Sequence, residues 1–157
     1  MDDAAELIAE AEALVLARFA EAEALMLGRE LVAIAEAEGL GVVIDIRTAD
    51  RTLFHAALPG AAPLNDLWAR RKSTTALIFQ KSSLAVGREM RAKGQDLAMH
   101  GLSPAECAVH GGAVPIRVAG VGVVAVATVS GLPDVADHAL VLRGLRALGA
   151  LAGRAQV

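Results

Sequence analysis

Cysteine is nearly absent from this chain of 157 residues: Cys107 is the only one. It has no intrachain disulfide partner, which fits a reducing compartment. Aromatic residues are also scarce, at 3% with no tyrosine, while apolar residues reach 55%. The core must therefore be built from Ala, Val, Leu and Ile, with small side chains and close backbone approaches. A basic excess is missing too. The formal charge of −3 excludes the positive surface expected of a general nucleic-acid binder. No apolar run spans a bilayer. The longest uncharged stretch, Val118–Pro133, is short and broken by Gly120, Gly122 and Gly131. The acidic start Met1-Asp2-Asp3 lacks the basic and apolar blocks of a secretory signal. We expect a single cytoplasmic domain over residues 1–157, without membrane or nucleic-acid partners.

What is present reads as alternating helices and hairpins. Asp3–Ala13 predicts a helix that extends the domain at its N-terminus, with acidic residues at the favourable end of the dipole. Leu14–Phe19 either continues it or forms a short edge strand. In Glu21–Glu38, Ala24, Leu27, Leu31, Ile34 and Ala35 recur at helical spacing. Val42–Arg47 and Thr52–Ala57 flank polar Thr48–Arg51 and predict a hairpin. Pro59, Gly60 and Pro63 mark a loop. Asn65 or Asp66 can cap a helix over Leu67–Phe79, and Ser82 or Ser83 can open another to Lys93. Gln95–Cys107 is irregular. Val114–Val118 and Val121–Val129 predict a second hairpin, the latter strand buried on both faces. Asp134 opens a last helix to about Leu151. Hairpins force antiparallel pairing, so a doubly wound nucleotide fold is excluded and an α/β (α+β) antiparallel sheet with helices on both faces is expected.

Three segments carry candidate chemistry. Asn65, Trp68, Arg70, Arg71 and Lys72 place a cap, the only tryptophan and three cations together. They read either as an anion site with a flat aromatic wall or as a solvated basic face. His110-Gly111-Gly112 precedes a strand. Its histidine is either a ligand or acid/base group, or a turn residue bonded to backbone. Cys107 and His110 have no partners to complete a zinc set, so no metal site is expected. Ser130, Asp137 and His138 contain the ingredients of a hydrolase. The glycines of a nucleophile elbow are missing, because Thr128 and Leu132 stand at those positions. These residues either tie the last strand to the last helix or line a shared pocket.

The ordered series Pro63, Asn65, Trp68, Arg71-Lys72, Ser82-Ser83, His110-Gly111-Gly112, Pro115-Ile116, Val129-Ser130-Gly131-Leu132-Pro133 and Asp137-His138 resembles the haem-degrading-domain (GlcG/HbpS-like) family, in its uncharacterised branch. The resemblance covers about Leu14 to Leu148. The chain differs from the usual family pattern at Leu64 and Thr74. The resemblance implies a profilin-like three-layer α/β/α fold with a five-stranded antiparallel sheet, and self-association as a homo-oligomer. It also implies a small-molecule ligand, with haem or another tetrapyrrole admitted. On that reading Arg70, Arg71 or Lys72 would engage propionates, and His110 or His138 would ligate the haem iron. The alternatives are a non-catalytic oligomeric scaffold and an enzyme on a small polar substrate with His138 as base.

Overall fold

The computed structural model describes residues 3–154. Helix α1 spans Asp3–Ala13 and leads into strand β1, Val15–Leu16. Helix α2, Glu21–Ala37, starts where the Glu23 carboxylate accepts the Ala20 N–H at 3.0 Å, satisfying a donor the helix leaves open. Strands β2 (Val43–Arg47) and β3 (Thr52–Ala57) form the first hairpin. Helix α3 covers Pro63–Phe79, four residues earlier than its apolar pattern suggests. Pro63 suits a first helical turn, and Asn65 Oδ1 reaches back to accept the Ala62 N–H at 2.8 Å. Helix α4 (Ser83–Lys93) is capped by Ser82, whose Oγ accepts the Ala85 N–H at 3.2 Å. After a 3₁₀ turn at Ala98–His100 come β4 (Ala113–Val118), β5 (Gly122–Ser130) and α5 (Asp134–Arg154).

The sheet order is β1-β4-β5-β2-β3. The expectation of a purely antiparallel sheet is corrected at one edge. The pairs β2–β3, β2–β5 and β4–β5 are antiparallel, but β1 lies parallel to β4 through Val15–Arg117 and Leu16–Val118. Hairpin connections fix the antiparallel sense within β2–β3 and within β4–β5. No hairpin joins β1 to β4, so nothing local dictates its sense.

Helices cover both faces. On one, α2 and α5 pack on Ile44, Ile46, Val114, Ile116, Ala127 and Val129, with Leu27, Leu31, Val141, Leu142 and Leu145 filling the interior. On the other, α3 lies over Ala113 and Val126 through Ala76. Period-two alternation along β5 sends Ala127 and Val129 to the first face and Val126, Thr128 and Ser130 to the second. The small side chains Ala69, Ser73 and Ala76 bring α3 down close to the sheet, where the Ser73 and Thr128 hydroxyls bond at 2.8 Å. That close approach places the next turn of α3 at the end of the sheet, where β4 begins, β5 ends and α5 starts.

Candidate functional site

A cleft of about 230 Å³ opens at that end of the sheet. It is lined by Asn65, Trp68 and Lys72 from α3, His110 from the turn before β4, Ser130 to Leu132 after β5, and Asp134 and Asp137 from α5.

The floor is an ion pair. Lys72 and Asp137 have side chains 4% and 1% exposed, with Nζ 2.8 Å from Oδ2. Lys72 Nζ also lies 3.4 Å from the Val129 carbonyl oxygen. The Asp137 carboxylate accepts the Leu132 N–H at 2.9 Å and the Gly131 N–H at 3.4 Å, so it ties the β5–α5 turn to α3. Burial pushes its pKa above the ordinary carboxylate range, although Lys72 and the two amides pull the other way. Reading Lys72 as part of a solvated basic face is therefore corrected. Successive helical residues turn by about 100°, so Arg70 is exposed, Arg71 is half-buried and Lys72 points inward.

Gly111 and Gly112 are needed for this packing. A Cβ on Gly111 would lie 2.4 Å from the Asp134 carbonyl oxygen. Gly112 has φ +138°, and a Cβ there would fall 2.4 Å from the Val129 oxygen and 2.9 Å from Lys72 Nζ. Both glycines therefore shape the cleft from beneath it.

The outer wall is a stack. The Arg71 guanidinium carbon sits 4.4 Å from the Trp68 ring centroid, and the His110 ring meets Trp68 edge-on at 5.1 Å. Arg71 Nε donates to the Pro104 carbonyl at 2.8 Å, which anchors the irregular segment before β4. His110 itself is exposed, with its imidazole at the cleft mouth. Arg70 lies outside the cleft, beside Leu64, Leu67, Arg71, Pro104 and Ala105 around a shallow apolar hollow.

His138 does not belong to the site, against the expectation that it could ligate or act as base. It is completely buried, and Nε2–H donates to the Leu7 carbonyl of α1 at 3.1 Å. Burial lowers its pKa and keeps it neutral, and Nδ1 has no hydrogen-bond partner among the described residues. Neighbouring Asp137 faces the cleft and His138 faces α1, so no Ser130–His138–Asp137 triad assembles. Among the described residues no group of three His, Cys, Asp or Glu is placed to hold a metal ion. No helix there is long and apolar enough to cross a membrane.

Residues 19–146 match the family model described as "Haem degrading protein HbpS-like". The chain belongs to the HbpS-like family. Its curated relatives include the UPF0303 protein of Streptomyces coelicolor, 46% identical over 142 residues and covering 90% of each chain. The UPF0303 protein of Paraburkholderia xenovorans is 45% identical over 140 residues, 88% of this chain and 85% of that one. Among solved structures, the Ybr137w protein superposes with a TM-score of 0.83 at 29% identity, covering 95% of this chain and 88% of its own. A complex of PduOC with haem gives a TM-score of 0.70 at 18% identity, covering 82% and 94%. That last likeness shows the HbpS-like fold alone.

A second polar network was missed from sequence. Asp45, 1% exposed in the middle of β2, accepts from Arg47 Nε at 2.5 Å and bonds His55 Nδ1 at 2.8 Å; His55 Nε2 then meets Asp66 of α3 at 2.8 Å. The signal was available: an acid inside Val43-Ile44-Asp45-Ile46 has to find partners. Burial opposes the charged form of His55, but bonds to Asp45 and Asp66 outweigh it and raise its pKa. This network clamps the first turns of α3, and with them Asn65 and Trp68, against the sheet.

Proposed function

We propose that this HbpS-like chain is a small-molecule-binding domain acting as a homo-oligomer, with the cleft between α3, Gly111-Gly112 and the start of α5 as its ligand site. One observation carries the reading. Asn65, Trp68, Lys72, His110, Ser130 and Asp137 come from separate segments and line a single cleft. Convergent polar groups beside an aromatic wall are the composition of a ligand pocket.

Haem or another tetrapyrrole is the ligand class favoured by the family description and by the PduOC–haem structure. The residues fit such a group at the mouth of the cleft. The exposed His110 imidazole would ligate its iron, and Arg71, stacked on Trp68 of the cleft wall, would pair with a propionate. Lys72 is already neutralised by Asp137, and His138 is covered by α1. At about 230 Å³ the cleft is below the roughly 300–1,000 Å³ of pockets that enclose drug-sized ligands. The cleft of one chain would therefore not enclose a whole tetrapyrrole. Titration with hemin should give a saturable Soret shift that His110→Ala weakens strongly. An identical titration in that variant would remove His110 from the site.

A scaffold reading is favoured by one feature. Leu64 and Leu67 are 60% and 53% exposed on the outer face of α3, beside Arg70 and Arg71. Apolar residues with arginine are typical of interface cores. Light scattering on Leu67→Glu and Arg71→Ala should show smaller particles. Unchanged size at low concentration would remove this face from self-association.

A further inference from the structure

The floor of the cleft holds a feature that ligand binding at its mouth does not use: a buried primary amine in contact with a buried carboxylate. Lys72 Nζ reaches the cleft from α3, and Asp137 holds it at 2.8 Å. The same cleft is lined by Ser130 and by Asn65, whose Oδ1 is already committed to the Ala62 N–H, leaving the amide N–H₂ as donor. We propose that Lys72 is a carbonyl-trapping amine, and that the deep part of the cleft takes a small, uncharged hydroxylated aldehyde or ketone as an imine. This rests on the reading that the cleft is the ligand site.

The ligand class follows from charge and size. The ionic groups lining the cleft are one cation, Lys72, and two carboxylates, Asp134 and Asp137. That net negative lining disfavours an anionic 2-oxo acid and leaves hydrogen bonding as the means of recognition. The volume of about 230 Å³ suits a compact molecule. Asn65 and Ser130 offer bonds to its hydroxyl groups, and Trp68 covers its apolar side.

The pair can perform the steps with no other reagent. The Lys72 ammonium gives a proton to Asp137 Oδ2. The free amine attacks the carbonyl carbon, forming the C–N bond, and the electron pair of the carbonyl moves to oxygen. That oxygen takes the proton from Asp137, giving a carbinolamine. Asp137 then takes a second proton from nitrogen and delivers it to the hydroxyl, the C–O bond breaks, and water leaves as the nitrogen lone pair forms C=N. Nitrogen has gone from three protons to one, the two lost protons leave in water, and Asp137 ends as it began. The product is an iminium beside the same carboxylate, so the buried ion pair is retained. A raised carboxyl pKa in Asp137 favours its acting as the proton carrier. Desolvated lysines are the usual amines of imine chemistry.

The chain makes the test clean. It has three lysines, Lys72, Lys81 and Lys93, and one tryptophan, Trp68, in the cleft wall. Lys81 has a side chain 44% exposed, and Lys93 is exposed, so unselective amine chemistry would label those two and the α-amino group first. The full chain is incubated with glycolaldehyde, and separately with glyoxylate, in the presence of cyanoborohydride. Adducts are located by peptide mass spectrometry, and Trp68 fluorescence is followed without the reductant. The expected result is a saturable adduct concentrated on Lys72 with glycolaldehyde, much less with glyoxylate, and none at that position in Lys72→Arg, which keeps the ion pair. Mapping the wild-type chain needs no variant to fold. If Trp68 responds saturably but adducts fall on Lys81 and Lys93, the inference is overturned and the cleft remains a ligand site. If hemin also gives no saturable signal and Trp68 is silent, both readings fall. Preferential trapping of glyoxylate at Lys72 would overturn the assignment of an uncharged ligand.

Discussion

Replacing Lys72 by methionine isolates the energetics of the cleft floor. The side chain is 4% exposed and its partner Asp137 is 1% exposed, so the substitution leaves a carboxylate out of water with no counter-charge. Removing one member of a buried pair costs about 3–5 kcal/mol. Asp137 keeps the Leu132 and Gly131 amides, which places the cost at the lower end, about 3 kcal/mol. For a domain of this size that corresponds to a fall in Tm of roughly 6–12 °C. The loss depends on pH. The folded pKa of Asp137 lies above its unfolded value, so its contribution is most favourable below about pH 3.9, where both states are protonated, and worsens as pH rises through the folded pKa. Without Lys72 that pKa rises further. The penalty read from urea unfolding should therefore be largest at pH 7 and shrink toward pH 4. The double variant Lys72→Met/Asp137→Leu should recover much of it. A penalty under about 1 kcal/mol at pH 7 would refute the reasoning, since that is the range of solvated surface pairs.

Other outcomes follow from the same geometry. His138 is held neutral by burial, so its contribution is present above about pH 6.5 and lost as pH falls through its lowered folded pKa. Amide exchange in α1, corrected for intrinsic rates, should quicken at pH 5 relative to pH 7.5, and His138→Gln should flatten that dependence; pH-independent protection of α1 in the wild type would contradict it. His55 has the opposite sign: its folded pKa is raised, so its bridge is complete below about pH 6.5 and lost as pH rises through the folded value. The difference in urea midpoint between wild type and His55→Gln should shrink from pH 6 to pH 9. Gly112→Ala forces a left-handed backbone and drives a Cβ to 2.4 Å from the Val129 oxygen. It should cost about 1–3 kcal/mol in backbone strain alone, with a shift in Trp68 emission, whereas Gly120→Ala, also at positive φ but with no described atom within 4 Å of the added Cβ, should cost less.

The elements legible in the sequence were those with a clear period. Ala24, Leu27, Leu31 and Ala35, one face of a predicted helix, are fully buried on α2, and both hairpins form. The direction of β1 was not legible, because two residues joined to their neighbour by no hairpin carry no directional pattern. At the site, Asn65–Lys72 and His110–His138 both contribute residues to the cleft. The division of labour inside each was hidden. Arg70, Arg71 and Lys72 are alike in charge, yet helical rotation gives them three environments. Asp137-His138 read as a functional pair because the residues are adjacent, although adjacency on a helix separates them. Gly131, Leu132 and Asp134 enter the lining only because a turn folds back on itself, and residue type does not announce that.

That separation at the start of α5 also keys the helix in place. Beyond Pro133 the buried apolar side chains among the described residues are Leu140, Val141, Leu142, Leu145 and Leu148, a greasy series that would tolerate sliding along α2 and the sheet. Asp137 and His138 do not tolerate it. Lys72 donates and needs an oxygen acceptor opposite it, whereas the Leu7 carbonyl needs a donor. A slip of one position would set a carboxylate against a carbonyl, or an imidazole against an ammonium. Two neighbouring residues of opposite hydrogen-bonding character thus act as a lock with two different wards, and they fix the rotational setting of the longest helix in the chain.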